Sequence, residues 1–99
     1  MTKTPFTPPD IDRMLSMSGL DYLHAMLREP ELCPPITATM NYRIETVSPG
    51  KVTCVGRPAF EHTNPMGGVH GGWYGTLLDT CMACAVMTAV PKGAIYTTL

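Results

Sequence analysis

From Trp73 to Val90 the chain carries no Lys, Arg or Glu, and Asp79 is the only charge in eighteen residues. Apolar or small side chains recur on every side of a helical wheel: Trp73, Leu77, Leu78, Cys81, Met82, Ala85 and Val86. A helix that is apolar all round belongs in the middle of something. The spacing predicts that it starts near Gly71 or Gly72 and runs to about Val90, where Pro91-Lys92-Gly93 stops it. The rest of the fold must therefore supply a cover for this helix.

Little of the 99-residue chain is left to supply it. Residues 1–9, with three prolines, read as an arm. Asp10 is placed to cap a first short helical pattern, Ile11, Met14 and Leu15. Ser18-Gly19 interrupts it, and Leu20, Leu23 and Leu27 continue at helical spacing, flanked by Tyr22 and Met26, to a stop before Pro30. Pro34-Pro35 is read as closing the helical region. From Ile36 to Val47 the chain is rich in Thr, Ile, Val and Tyr, and Met40, Tyr42, Ile44 and Thr46 alternate with polar neighbours as in a strand. Ser48-Pro49-Gly50 signals a turn, and Lys51 to Phe60 reads as a second strand, with Val52, Cys54 and Gly56 on one face. These two strands form an antiparallel hairpin. Glu61 to His70 is a loop. Ala94 to Leu99 opens a further strand.

One hairpin cannot wrap an all-round apolar helix, and a two-stranded hairpin is marginal by itself. A chain of this size buries only about 60–65% of its unfolded surface. The expectation is an α+β fold, represented by part of a larger domain or completed by a partner. Residues 1–17 are assigned to an arm and short helix, and 18–99 to a single domain.

Composition removes several classes of function. The formal net charge of −1 leaves no electrostatic footprint for nucleic acid, and no block of like charge suggests a membrane surface. MTKTPFTPPD lacks the apolar run of a signal peptide, and the stretch after Asp79 is too short to span a bilayer. A cytoplasmic location is expected, with the four cysteines reduced. Cys81 and Cys84 form a C-x-x-C in the middle of a helix, where small buried packing residues are expected rather than a redox pair or zinc ligands. The eight methionines read as core fillers, and His24 and His62 as surface or loop residues.

The chemistry concentrates in HTNPMGGVHGGWYGTLLD, residues 62–79. A helix start offers unpaired N–H groups and a positive dipole end. An oxyanion developing there would be stabilised, often by about 3–4 kcal/mol per donor. Gly71, without a Cβ, lets a ligand approach the backbone. His70 is placed to orient the loop or polarise a carbonyl, and Asn64 to hold a carbonyl or a water, although Asn64-Pro65 is also a common turn pair.

The run H-x-N-P-M-G-G-V-H-G-G, followed by T-L-L-D, A-V and T-T-L, resembles the hotdog-fold acyl-CoA thioesterases of the phenylacetate-pathway type. The upstream S-G-L-D-Y-L and P-P-I segments are similar to that family's N-terminal helix and first strand. The resemblance covers about residues 18–99. It implies a hotdog fold, in which an antiparallel sheet of five or more strands wraps a long helix, of which this chain carries two strands and the start of a third. It also implies hydrolysis of an acyl- or aryl-CoA thioester to the free acid and coenzyme A, with no metal or redox cofactor. Gly71 and Asp79 are the positions it supports most strongly, with His70 and Asn64 beside them. Asp79 would be the general base that activates water, or the nucleophile that forms an anhydride. Thr97, with Thr98 beside it, stands where related enzymes place a hydroxyl that positions water.

Asp79 lies eight residues beyond Gly71, about 12 Å along a helix axis. A carboxylate cannot easily reach a carbonyl bound at its own helix start, whereas two antiparallel helices would bring Asp79 of one to Gly71 of the other. Spacing and resemblance both favour self-association, as a dimer or tetramer with composite sites. A hotdog hydratase or dehydratase, and a catalytically silent fragment, are the rival expectations. Trp73 and Tyr74 would line an aromatic pocket or simply pack.

Overall fold

The structure is a computed structural model that describes residues 10–97. The N-terminal arm, residues 1–9, and the last two residues of the expected final strand lie outside the described residues.

Two short helices open the fold. In α1 (Ile11–Leu15) the Asp10 carboxylate accepts from Arg13 N–H at 3.0 Å, and in α2 (Gly19–Arg28) the Ser18 hydroxyl accepts from Asp21 N–H at 3.1 Å. Each cap satisfies an amide that the helix itself leaves unpaired. The break between them falls at 16–18, as the Ser18-Gly19 signal predicts. Arg13 returns from α1 to the end of α2 and forms a two-pronged ion pair with Glu29, at 3.0 and 2.5 Å.

The next segment corrects the sequence reading. Pro35 does not close a helical region but begins one: α3 (Pro35–Thr39) takes up residues expected to be strand. Proline suits a first helical turn, because its missing N–H would go unpaired there anyway. Asn41, at φ 53, then turns the chain into β1 (Tyr42–Ser48). Pro49-Gly50, with Gly50 at φ 75, leads into β2 (Lys51–Gly56), shorter than the expected Lys51–Phe60.

The hairpin is antiparallel, with Tyr42 opposite Gly56 and Ile44 opposite Cys54. Between Ile44 and Thr46 the register slips by one, so Thr46 pairs with Thr53 and Val47 with Val52. Glu45 is the extra residue of this bulge, and a one-residue insertion moves every later side chain to the opposite face. Val47, not Thr46, therefore joins Ile44 against the core.

The long helix α4 (Gly71–Met87) packs on both strands and on α2. It ends three residues before the expected Val90: the Ala89 and Val90 amides bond to Val86 O and Met87 O in i→i−3 turns, and the Thr88 hydroxyl donates to Ala85 O and accepts from Gly50 N–H. The core gathers Tyr22, Leu23 and Met26 of α2 with Ile44, Val47, Cys84 and Met87. Gly19 of α2 lies against Met87 at the end of α4. A Cβ there would lie 1.9 Å from Met87 O, and Gly19 N–H donates to Val90 O at 2.9 Å.

A long helix laid on an antiparallel hairpin makes this an α+β fold with the layout of an incomplete hotdog. Residues 94–97 form no strand; they run beside α4, where the Tyr96 hydroxyl donates to Ala83 O. A strand needs a ladder partner, and both described strands pair only with each other. Among the described residues no helix is long and apolar enough to cross a membrane.

Candidate active site

The loop from Phe60 to His70 brings the chain from β2 to the start of α4. Thr63 and Val69 form an isolated antiparallel bridge. Within it the Asn64 side-chain oxygen accepts from Met66 N–H at 2.9 Å and Gly68 N–H at 3.2 Å. The Asn64 backbone N–H donates to Gly68 O, and Gly67 N–H donates to Asn64 O. The structure thus places Asn64 as the organiser of its own turn, with its carbonyl oxygen already committed.

His70 is the N-cap of α4. Its Nδ1 accepts from Gly72 N–H at 2.8 Å, which puts the proton of the neutral ring on Nε2. Gly72 permits this cap, since a Cβ there would lie 2.9 Å from His70 Nδ1. Trp73 N–H donates to His70 O. Of the first three helix amides, Gly72 and Trp73 are therefore occupied, and Gly71 N–H has no acceptor among the described residues. Gly71 is exposed, and nothing lies within 4 Å of a Cβ built on it.

His62 lies in this loop, as expected, but not at the surface. It is 6% exposed. Its Nδ1 accepts from Ala59 N–H at 2.8 Å, and its Nε2 lies 2.8 Å from Thr39 O. Its backbone carbonyl accepts from His70 N–H, also at 2.8 Å. Trp73 stands beside it, 4% exposed, with the ring centroids 6.4 Å apart, and Trp73 Nε1–H donates to Met40 O at 2.6 Å. Two ring N–H groups thus serve successive carbonyls at the end of α3. Trp73 is a packing residue that also borders a groove of about 350 Å3 beside His62, His70 and Thr76.

Asp79 is exposed, not enclosed as an all-round apolar helix suggests. The hairpin covers one side of α4, and Asp79 shares the other with Gly71, Gly75, Leu78 and Met82. Its carboxylate lies within electrostatic reach of two phenols, Tyr42 and Tyr96, both raised above the ordinary tyrosine value, chiefly by burial. The Tyr42 hydroxyl meets Thr80 Oγ1 at 2.6 Å. Thr97 is exposed, next to Tyr96, on the segment that runs beside the middle of α4. His70 and Gly71 are therefore together, Asn64 holds the loop that delivers them, and Asp79 stands two helical turns away.

The cysteines are free thiols. Cys81 Sγ contacts Val52 O at 3.3 Å, and Cys54 faces it from β2. Burial, followed by the neighbouring Cys81, pushes the Cys54 thiol up, and burial pushes Cys84 up to about 11. A raised thiol withholds the thiolate that nucleophilic or metal chemistry needs.

The segment from Met26 in α2 through β1, β2, the loop and α4 is matched, over residues 26–97, by the family model described as a domain of unknown function, DUF4442. The chain belongs to the DUF4442 family. No curated protein and no solved structure matches it. The DUF4442 match takes in every candidate site residue, from Asn64 to Thr97.

Proposed function

We propose that this DUF4442 chain is an acyl-CoA thioesterase, with Gly71 N–H as the oxyanion donor and Asp79 as the acid–base group. The observation that carries the reading is the exposed Gly71 at the start of a 17-residue helix, its amide without an acceptor among the described residues, next to the capping His70. An amide with no other acceptor, at the positive end of a helix, suits a carbonyl oxygen that gains charge.

In the base route Asp79 takes a proton from water as the water oxygen adds to the thioester carbon. The carbonyl electrons move to the oxygen held by Gly71 N–H. Collapse of this intermediate breaks the C–S bond, and the sulfur leaves with a proton from Asp79. The products are the free acid and coenzyme A. In the nucleophile route the Asp79 carboxylate adds to the thioester carbon, the C–S bond breaks and coenzyme A leaves as the thiolate, and water then opens the anhydride to the free acid and the Asp79 carboxylate, its remaining proton going to the thiolate.

Asp79 and Gly71 are about 12 Å apart along their own helix, so the proposal includes association of two copies, with Asp79 of one near Gly71 of the other. The exposed side of α4 that carries both groups supports this. The test is thiol release from aryl- and aliphatic-CoA thioesters. Asp79→Asn should lower kcat by about 10²–10⁴-fold with thermal unfolding unchanged. Gly71→Val should lower it as well. Mixing the two variants should restore activity, because a hybrid contains one site with both native groups. No hydrolysis by the parent sinks the enzyme reading, and no recovery on mixing sinks the composite site.

A further inference from the structure

We propose that His62 is a positioning residue for this site: its ring, held as the neutral Nε2–H tautomer, fixes the corner from which the Gly71 amide projects. The reaction it serves rests on the thioesterase reading above, whereas the positioning is a property of the fold.

The tautomer follows from its two partners. Ala59 N–H can only donate, so Nδ1 must accept and carries no proton. Thr39 O can only accept, so Nε2 must carry one. Both ring nitrogens are used, in a residue that is 6% exposed. The imidazolium would lack the lone pair that Ala59 N–H needs, and the other neutral tautomer would lose both bonds.

The same residue holds the site through its backbone. His62 O accepts from His70 N–H at 2.8 Å, one peptide before Gly71. The ring therefore ties the end of α3 to the loop, and the carbonyl ties the loop to the first turn of α4. Trp73, packed against the ring and bonded to Met40 O, fixes the second side of the corner. His62 reaches no reacting atom in this arrangement. Its effect is on where the Gly71 N–H points, and a misplaced donor costs transition-state stabilisation more than binding.

The test uses the full chain. Long-range proton–nitrogen spectra should show the His62 ring with its single proton on Nε2. Hydrogen exchange at the His70 amide should quicken by about tenfold or more in His62→Phe, which keeps a ring against Trp73 but loses both nitrogen partners. His62→Asn, whose Oδ1 can replace Nδ1 as acceptor for Ala59, should recover part of that protection. In thioester hydrolysis His62→Phe should lower kcat with KM within about twofold, and His62→Asn should fall between it and the parent. A proton on Nδ1, or unchanged His70 exchange in His62→Phe, overturns the proposal. If His62→Phe does not fold, the parent's tautomer and the His62→Asn exchange rates decide it. The exchange and tautomer measurements need no substrate, so a parent that fails to hydrolyse thioesters would overturn the enzyme reading without touching them.

Discussion

The two sides of α4 are built from similar residues and do opposite things. The inner side carries Trp73, Thr80, Cys81, Cys84 and Met87, and each has a partner on the hairpin, on α2 or on α3. The outer side carries Tyr74, Leu78, Met82 and Val86, which are 51–62% exposed, together with Gly71 and Asp79. Hydrophobicity is nearly the same around the helix, so it does not mark which side is core. The inner side is marked by hydrogen bonds from Trp73, Thr80 and Cys81 to other elements. Side-chain hydrogen bonds run from the inner side to backbone or hydroxyl partners in other elements, and such bonds fix a unique packing more sharply than apolar contact does. The outer side has the residues of an interior and the freedom of a surface, which is a combination that suits a helix waiting for a second layer.

Substitutions on the inner side should therefore cost stability without regard to concentration or partner. The largest loss is expected for Trp73→Ala. It removes a buried ring and the bond to Met40 O, at a cost of about 3–5 kcal/mol, a large share of the 5–15 kcal/mol that ordinary domains have. Urea unfolding followed by circular dichroism would measure it; a change below about 1 kcal/mol would mean that the inner side is no better packed than the outer. Gly19→Ala is the next step down. The added methyl would meet Met87 O and its side chain, and backbone must move for it to fit. A loss of about 1–3 kcal/mol is expected, even though alanine favours a helix over glycine by about 1 kcal/mol. A stabilised Gly19→Ala would show that α2 and α4 are not in the close contact described.

The comparison also separates what could be read from letters. Asp10 and Ser18 are legible as caps, and Ser48-Pro49-Gly50 as the hairpin turn, because each acts on its own neighbours. The start of α4 is legible for the same reason: Gly71-Gly72 after a histidine is a local signal, and it placed His70 and Gly71 together. The misreadings are long-range. Residues 36–39 have strand composition but follow a proline that begins a helix, whose last carbonyl groups are then held by His62 and Trp73, more than twenty residues away. The bulge at Glu45 is invisible to alternation, which would have kept Thr46 inward. The exposure of Asp79 depends on how much sheet faces α4, and the expected strand after Ala94 is instead a segment tied by Tyr96 to Ala83. Periodicity identifies an apolar helix; it does not say which of its sides is covered.

The outer side gives the smallest predicted change in the unfolding of a single chain and the sharpest test of the comparison. Leu78 is 56% exposed, one residue before Asp79 and on the same side of α4 as Met82 and Val86. Leu78→Glu should alter the intrinsic stability by less than about 0.5 kcal/mol, because the side chain leaves no cavity and buries no charge in one copy. In an assembly the carboxylate would be forced against apolar surface and against its own symmetry mate, and burying an unpaired charge is costly. Association adds to apparent stability in proportion to the logarithm of concentration. The parent's unfolding midpoint should therefore rise with protein concentration, and the Leu78→Glu midpoint should stay flat, with a lower mass in sedimentation. If both midpoints are flat and both masses are those of one copy, the outer side is a surface in fact as well as in exposure, and the composite site loses its physical basis. If Leu78→Glu instead unfolds like an inner-side variant at every concentration, the distinction between the two sides of α4 fails.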